Sequence, residues 1–454
     1  MAALVTLASA GVAFERLESA PRTRATPPAP PRFVARGTFC PPDIGAEGAR
    51  TEVAVVSPGG DETPVRVDPG GSKDTLPPHG LLQRSAGESS GLSLTGFGAR
   101  LGAGVWTSID GRRGGAAAAP CSEIASDRWY FAEGSSELGA DQRLLLYNPF
   151  LDEAVLRVVF HTAKGPTAKA ALADVAIPPG KAVEVAVNDF VLREPLLATS
   201  VLVTRGQVVA WRALLPAGRE TTGVQMSLGA SRPATTWYFP YGALGPEDAE
   251  SIALLNPGAE EAAVSITLAT GTSVEQPPRL VELSVPPQSA RRLSLEELVR
   301  PAEKATRVSA WVTSTNGAPV AAERVVTAMT GRTPVVTAET GIPDPAHLWV
   351  LPPVVDSPRE DRVELINPTS QNATVTLSLL REGGPPLTPG SLRQVPLRAG
   401  LRRSVAIERW TQGRSFAVAV EADRAIVAER WAYTPDFSDA AAAMGIPVRP
   451  SGPR

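Results

Sequence analysis

The residues in this chain that could do chemistry are few. Glu133 stands in "FAEGSS", a carboxylate beside a glycine, directly after the aromatic run Trp129-Tyr130-Phe131. A glycoside hydrolase would need a second carboxylate facing it across the scissile bond. Glu123, Asp127 and Asp141 are near in sequence, yet nothing pairs any of them with Glu133, and none has a counterpart later in the chain. Trp129, Tyr130 and the later Trp237 and Tyr238 could stack on a sugar ring. On a strand, however, Trp129 and Phe131 share one face and Tyr130 the other, which suits a core with tyrosine at its edge. The histidines are His79, His161 and His347, none at ligand spacing with a cysteine. There is no His-Glu-x-x-His or phosphate-binding glycine loop. The expectation is a protein with no catalytic residue, no metal and no cofactor.

Cys40 in "GTFCPPD" and Cys121 in "AAPCSEI" are the only cysteines. They flank one N-terminal segment and fit a disulfide if the chain is exported; two unrelated buried thiols are the alternative. In the chain-entropy model a loop of this length contributes roughly 4 to 5 kcal/mol. Net charge is −3, so no basic surface calls for nucleic acid. The apolar run Ala2 to Phe14 is short for a spanning helix and lacks a preceding Lys or Arg. It reads as a signal peptide or membrane anchor remnant (1–20), with a disordered tail as the alternative, followed by a Pro-rich linker (21–32).

A repeat organises the rest. "RWYFAEGSS" near residue 128 is echoed by "TWYFPYGAL" and "LWVLPPVVD", placing Trp129, Trp237 and Trp349 at separations of 108 and 112 residues. Asn148-Pro149, Asn256-Pro257 and Asn367-Pro368 are separated by 108 and 111 residues. Six residues after each Asn an alternating apolar run begins: Ala154-Leu156-Val158-Phe160, Ala262-Val264-Ile266-Leu268 and Ala373-Val375-Leu377-Leu379. A period of two marks a half-buried strand, and proline belongs at its end. Each unit closes with "VVAWRALL", "VAAERVVTA" or "IVAERWAYT", so Arg212, Arg324 and Arg430 correspond. An arginine kept there could stack on an aromatic ring, bond carbonyls at a junction, or form a solvated cross-strand pair. Ser294-Leu-Glu-Glu297 is the one capping-box pattern for a short helix.

Some seven short strands per 110 residues describe tandem immunoglobulin-like β-sandwich modules at 127–235, 236–346 and 347–448, with a tail at 449–454. Residues 33–126 read as a shortened β-module of the same kind, with Ser57-Pro58 where the others have Asn-Pro. The fold class is therefore all-β. The sequence "APCSEIASDRWYFAEGSS", with "LLLYNP" and the later "VAAER" and "IVAER", resembles a family of exported actinobacterial proteins classed as a domain of unknown function. The resemblance implies export and a cell-envelope setting, and no activity. Asn372-Ala-Thr374 is a formal glycosylation sequon. Modules in series suggest a rod: a non-catalytic, exported or envelope-associated spacer, scaffold or adhesion protein, with cell-wall protein or polysaccharide as partner and an N-terminal membrane tether. The alternative is a glycan-binding, weakly glycan-processing protein that uses the aromatic openings and Glu133.

Overall fold

The computed structural model describes residues 35–448 except 69–70, 87–90, 97–100, 110–114, 217–222, 247, 300–305, 331–332, 412 and 436–437. The expected leader, Pro-rich linker and C-terminal tail lie outside the described residues. Within them the chain is all-β and every strand pairing is antiparallel. The expected helix is a single turn, Leu295–Leu298; Ser294 occupies its N-cap position without a side-chain capping bond.

The first repeat shows the plan. One sheet runs in the order Arg128–Phe131, Ala198–Arg205, Ala154–Thr162, Gly165–Ala168, with Val175–Ile177 also on Ala154–Thr162. The other runs Ala182–Ala186, Ala140–Tyr147, Val209–Pro216, Gln225–Leu228. The alternating apolar residues Ala154, Leu156, Val158 and Phe160 are all buried between the two sheets. In the first two repeats the strand entering the second sheet is preceded by a turn at Gly206 or Gly317, both at positive φ. The third repeat has Asp423-Arg424 there, without glycine, and one 17-residue strand, Ala417–Tyr433, serves both sheets.

The repeated residues have repeated jobs. Trp129, Trp237 and Trp349 are buried, and each indole N–H donates to a backbone carbonyl at the same place in its unit: Val208 at 2.8 Å and Val320 at 2.7 Å, just before the closing strands, and Ile426 at 3.0 Å, within Ala417–Tyr433. A ring that size fills the sandwich only if its N–H finds a partner, and the fold supplies the same one three times. Each Asn closes the turn that its Pro begins. The Asn148 amide donates to the carbonyls of Asp152 and Ile177, Asn256 to those of Glu260 and Val285, and Asn367 to those of Gln371 and Leu397. The Asn oxygens accept from the N–H two residues on. This side chain substitutes for backbone pairing that the turn cannot make. In the N-terminal unit Ser57 occupies the place: its N–H donates to the Gly80 carbonyl as that of Asn148 does to Lys181.

The units do not form a rod. Each has a further strand absent from the sequence reading, and the four meet at one axis: Gly115–Pro120, Gln225–Leu228, Thr333–Thr340 and Ala440–Met444. Gly115–Pro120 packs against Gln225–Leu228 on one side and Ala440–Met444 on the other, and Thr333–Thr340 packs against the same two, so the cycle closes. Alanines at 116–119 and 440–443 let these strands approach closely. The hydrophobic clusters cross unit boundaries: one joins the N-terminal unit to the first repeat, and another joins Val56 and Trp106 to Val350 and Val354 of the third. A rod exposes its ends, whereas this chain buries its first unit against its last.

Candidate functional site

The closing strands carry the junctions. On a strand, adjacent side chains point to opposite faces, so a Glu-Arg pair can reach two neighbours. Glu323 faces back to the first repeat, where its carboxylate accepts from Arg212 at 2.6 Å and from the Ala132 N–H at 2.9 Å. Arg324 faces forward to Glu429 of the third repeat, with bonds of 2.5 and 3.2 Å, while Glu429 also accepts from the Tyr241 N–H at 3.0 Å. These four side chains are at most 1 % exposed. Burial raises the proton affinity of Glu323 and Glu429, and the partner arginines oppose that shift. Arg430 does not reach a carboxylate of another unit; it turns inward to Asp361 at 2.6 and 2.9 Å and to the Pro352 carbonyl at 3.0 Å. Of the roles open to the three arginines, Arg212 and Arg324 have the junction, and Arg430 braces its own unit.

Glu133 is a docking residue. It is buried in an ion pair with Arg292 of the second repeat, and no carboxylate is bonded opposite it among the described residues. Tyr241 holds the same place in "FPYG" and stacks on Trp431 of the third repeat, ring centroids 5.0 Å apart, with Arg307 5.3 Å from both rings. Burial lifts the Tyr241 phenol far above its ordinary range. In the third repeat Pro352 presses on Gly104 of the N-terminal unit, where an added Cβ would lie 2.7 Å from it. The loops whose sequences diverge are thus one device, each docking its unit onto the next. Tyr130 is buried and Tyr238 half-buried; Trp129 and Trp237 are interior residues that contribute to the lining of a cavity on the axis.

Cys40 and Cys121 form a disulfide. Backbone pairing makes Cys40 the counterpart of Phe131, Phe239 and Leu351, and Cys121 the counterpart of Gly229, Gly341 and Gly445. In the repeats a side chain lies flat on the glycine: an added Cβ would meet Phe131 at 2.8 Å, Phe239 at 2.7 Å and Leu351 at 2.7 Å. The N-terminal unit makes the same contact covalently.

Those glycines, with Cys121, turn the four axial strands outward around a pocket of about 550 Å³. Its lining comes from Pro120–Ile124, 226–232, 339–344 and 444–447, one segment from each unit, plus Trp129 and Trp237. The wall is mostly apolar. Its polar side chains are engaged: Arg232 pairs with Asp344 at 3.1 Å, Ser227 accepts from Arg212 and donates to the Ala338 carbonyl, and Thr340 donates to the Leu228 carbonyl at 2.6 Å. Glu339 accepts the Met444 N–H at 3.1 Å, and burial beside Glu429 holds its carboxyl well above the usual carboxylate range. Among the described residues no cluster of His, Cys, Asp and Glu could hold a metal. The pocket escaped the sequence reading because no one segment makes it; the trace it left was the glycine after each closing hairpin.

No curated protein matches the chain. The solved structures found include Thermotoga maritima 1070, 22% identical over 24% of this chain and 94% of that one, with a TM-score of 0.21. Another is Streptomyces avermitilis α-L-rhamnosidase complexed with L-rhamnose, 10% identical over 85% of this chain and 55% of that one, with a TM-score of 0.12. At those scores neither bears on activity. A family model does match most of the chain, at residues 89–279 and again at 227–443, each match spanning close to two units. The chain belongs to the family of unknown function DUF5719.

Proposed function

We propose that this is a non-catalytic binding and scaffold protein of the cell envelope or extracellular space, exported by an actinobacterial host and tethered or led out by its N-terminal segment. Its working surface is the mouth of the axial pocket. One observation carries the reading: the charged residues with enzyme-like placement, Glu133 above all, are held in pairs between units, while the cavity that all four units line is mostly apolar. A disulfide between the only two cysteines suits an oxidising compartment. Burial of Trp129, Tyr130 and Trp237 weighs against the glycan alternative, and the closed cycle of units weighs against the spacer. The test is fractionation of the native host combined with thiol counting and incubation with its envelope material. Recovery outside the cytoplasm, without free thiols, with retention of envelope material and no turnover of it, is the expected result. A cytosolic protein with two alkylatable cysteines, or one that releases soluble sugars from the envelope, overturns the proposal.

A further inference from the structure

We propose that the axial pocket binds an uncharged, mainly apolar small molecule that presents a hydrogen-bond acceptor to Glu339. This deepens the binding reading above and rests on it. The cavity of about 550 Å³ lies within the usual range for small-molecule sites. Ile124, Leu228, Ile342 and Ile446 form its apolar wall with Trp129 and Trp237. Both indole N–H groups are spent on backbone carbonyls, so the rings add no polarity to the wall.

Charge decides the class. The one cation in the lining, Arg232, is paired with Asp344, and Glu123 adds a further carboxylate, so an anion would meet no available countercharge. A cation would have to shed its water into an apolar wall, a heavy cost without a dedicated partner. Glu339 is different from the rest of the lining. It is 4 % exposed, it holds the Met444 N–H with one oxygen, and burial and Glu429, against the pull of Arg324, hold its carboxyl well above the usual carboxylate range, which favours the protonated form. A neutral carboxylic acid donates a hydrogen bond, which a carbonyl, ether or hydroxyl oxygen accepts. The corresponding residues in the other units are Ala119, Ser227 and Ala443, so this donor occurs at one position of the four and would orient an asymmetric ligand.

Nile red, a neutral apolar dye with a carbonyl acceptor, is the probe, titrated into the full chain and followed by emission. Saturable one-to-one binding with a blue shift is expected. Ser231→Tyr at the mouth and Ile342→Trp inside should each weaken it at least about 10-fold, a loss of about 1.4 kcal/mol. Ser231 is half-buried, so its variant should fold even if Ile342→Trp does not. Glu339→Leu should weaken binding about 10-fold while Glu339→Gln, which keeps a donor, stays near wild type, and the anionic dye anilinonaphthalene sulfonate should bind at least about 10-fold more weakly than Nile red. No saturable binding, or binding untouched by a folded Ser231→Tyr variant, overturns the proposal. Equal loss in the Leu and Gln variants, or preference for the anionic dye, overturns the ligand class. A protein found in the envelope that leaves Nile red free rejects this site and keeps the broader proposal. A dye-binding protein confined to the cytosol does the reverse.

Discussion

The junctions among the three repeats and those that attach the N-terminal unit solve one problem by different chemistry. Between repeats, buried Arg–Glu pairs reach across, 212 to 323 and 324 to 429, reinforced at the second junction by Tyr241, Trp431 and Arg307. The N-terminal unit has Gly104-Val105 where the second and third repeats have Glu-Arg, and no charge crosses at that position. On one side Trp211 donates its indole N–H to the Pro120 carbonyl at 3.1 Å. On the other, the alanine strands meet, and Asp439 accepts the Ala116 N–H at 2.6 Å. Ion pairs demand a partner and fix register; small apolar strands tolerate replacement but need the geometry held by something else. In the N-terminal unit the disulfide holds it.

The largest effect should therefore come from orphaning a charge between repeats. Arg324→Met leaves Glu429 buried alone and should cost about 3 to 5 kcal/mol, with Glu429→Gln added on top restoring part of the loss. A denaturant titration showing no loss in the single variant would remove the ion pair from the account of this junction.

Replacing both Cys40 and Cys121 by Ala should cost about 2 to 5 kcal/mol and open the N-terminal unit to protease before the repeats. Cys40→Phe with Cys121→Gly rewrites that site in the repeats' own terms, a ring over a glycine. It should recover part of the melt relative to the alanine pair. A double variant no better than the alanine pair would break the equivalence drawn from the backbone pairing.

A smaller, pH-dependent effect separates the repeats again. Glu250, buried beside Gly242, has its carboxyl pushed up from 4.5 to about 8 by burial, against the pull of Arg324. The folded state therefore keeps a proton that the unfolded chain has released between pH 4.5 and 8. Stability from this group is complete below the lower value, falls as pH rises through that window, and levels off above it. Glu250→Gln should flatten the fall in thermal melts taken from pH 5 to 9. An unchanged slope would mean that other carboxyls, Glu339 among them, dominate.

Much of this was legible in the sequence, and the rest was hidden for identifiable reasons. Trp129 and Asn148 recur at nearly constant spacing because each performs a task internal to its unit, so the repeat and the all-β class could be read directly. The closure could not, because the four axial strands share no pattern: "GAAAAP", "QMSL", "TPVVTAET" and "AAAAM" pack on neighbours along both sides and so lack a period of two. One signal was available. In "VAAER" and "IVAER" two opposite charges sit side by side within apolar strands, which is tolerable only where both faces are covered and both charges are met. Glu133 looked catalytic for the same reason: a carboxylate beside glycine in a loop is equally suited to docking, and only its partner, Arg292, tells the two apart.

The central claim is that the chain closes on itself, and small-angle scattering of residues 35–448 tests it most directly. A closed set of four units should have a radius of gyration near that of a compact globule, about 22 to 25 Å. A profile with a radius roughly twice as large, and a distance distribution tailing out like a rod, would contradict the ring and with it the axial pocket.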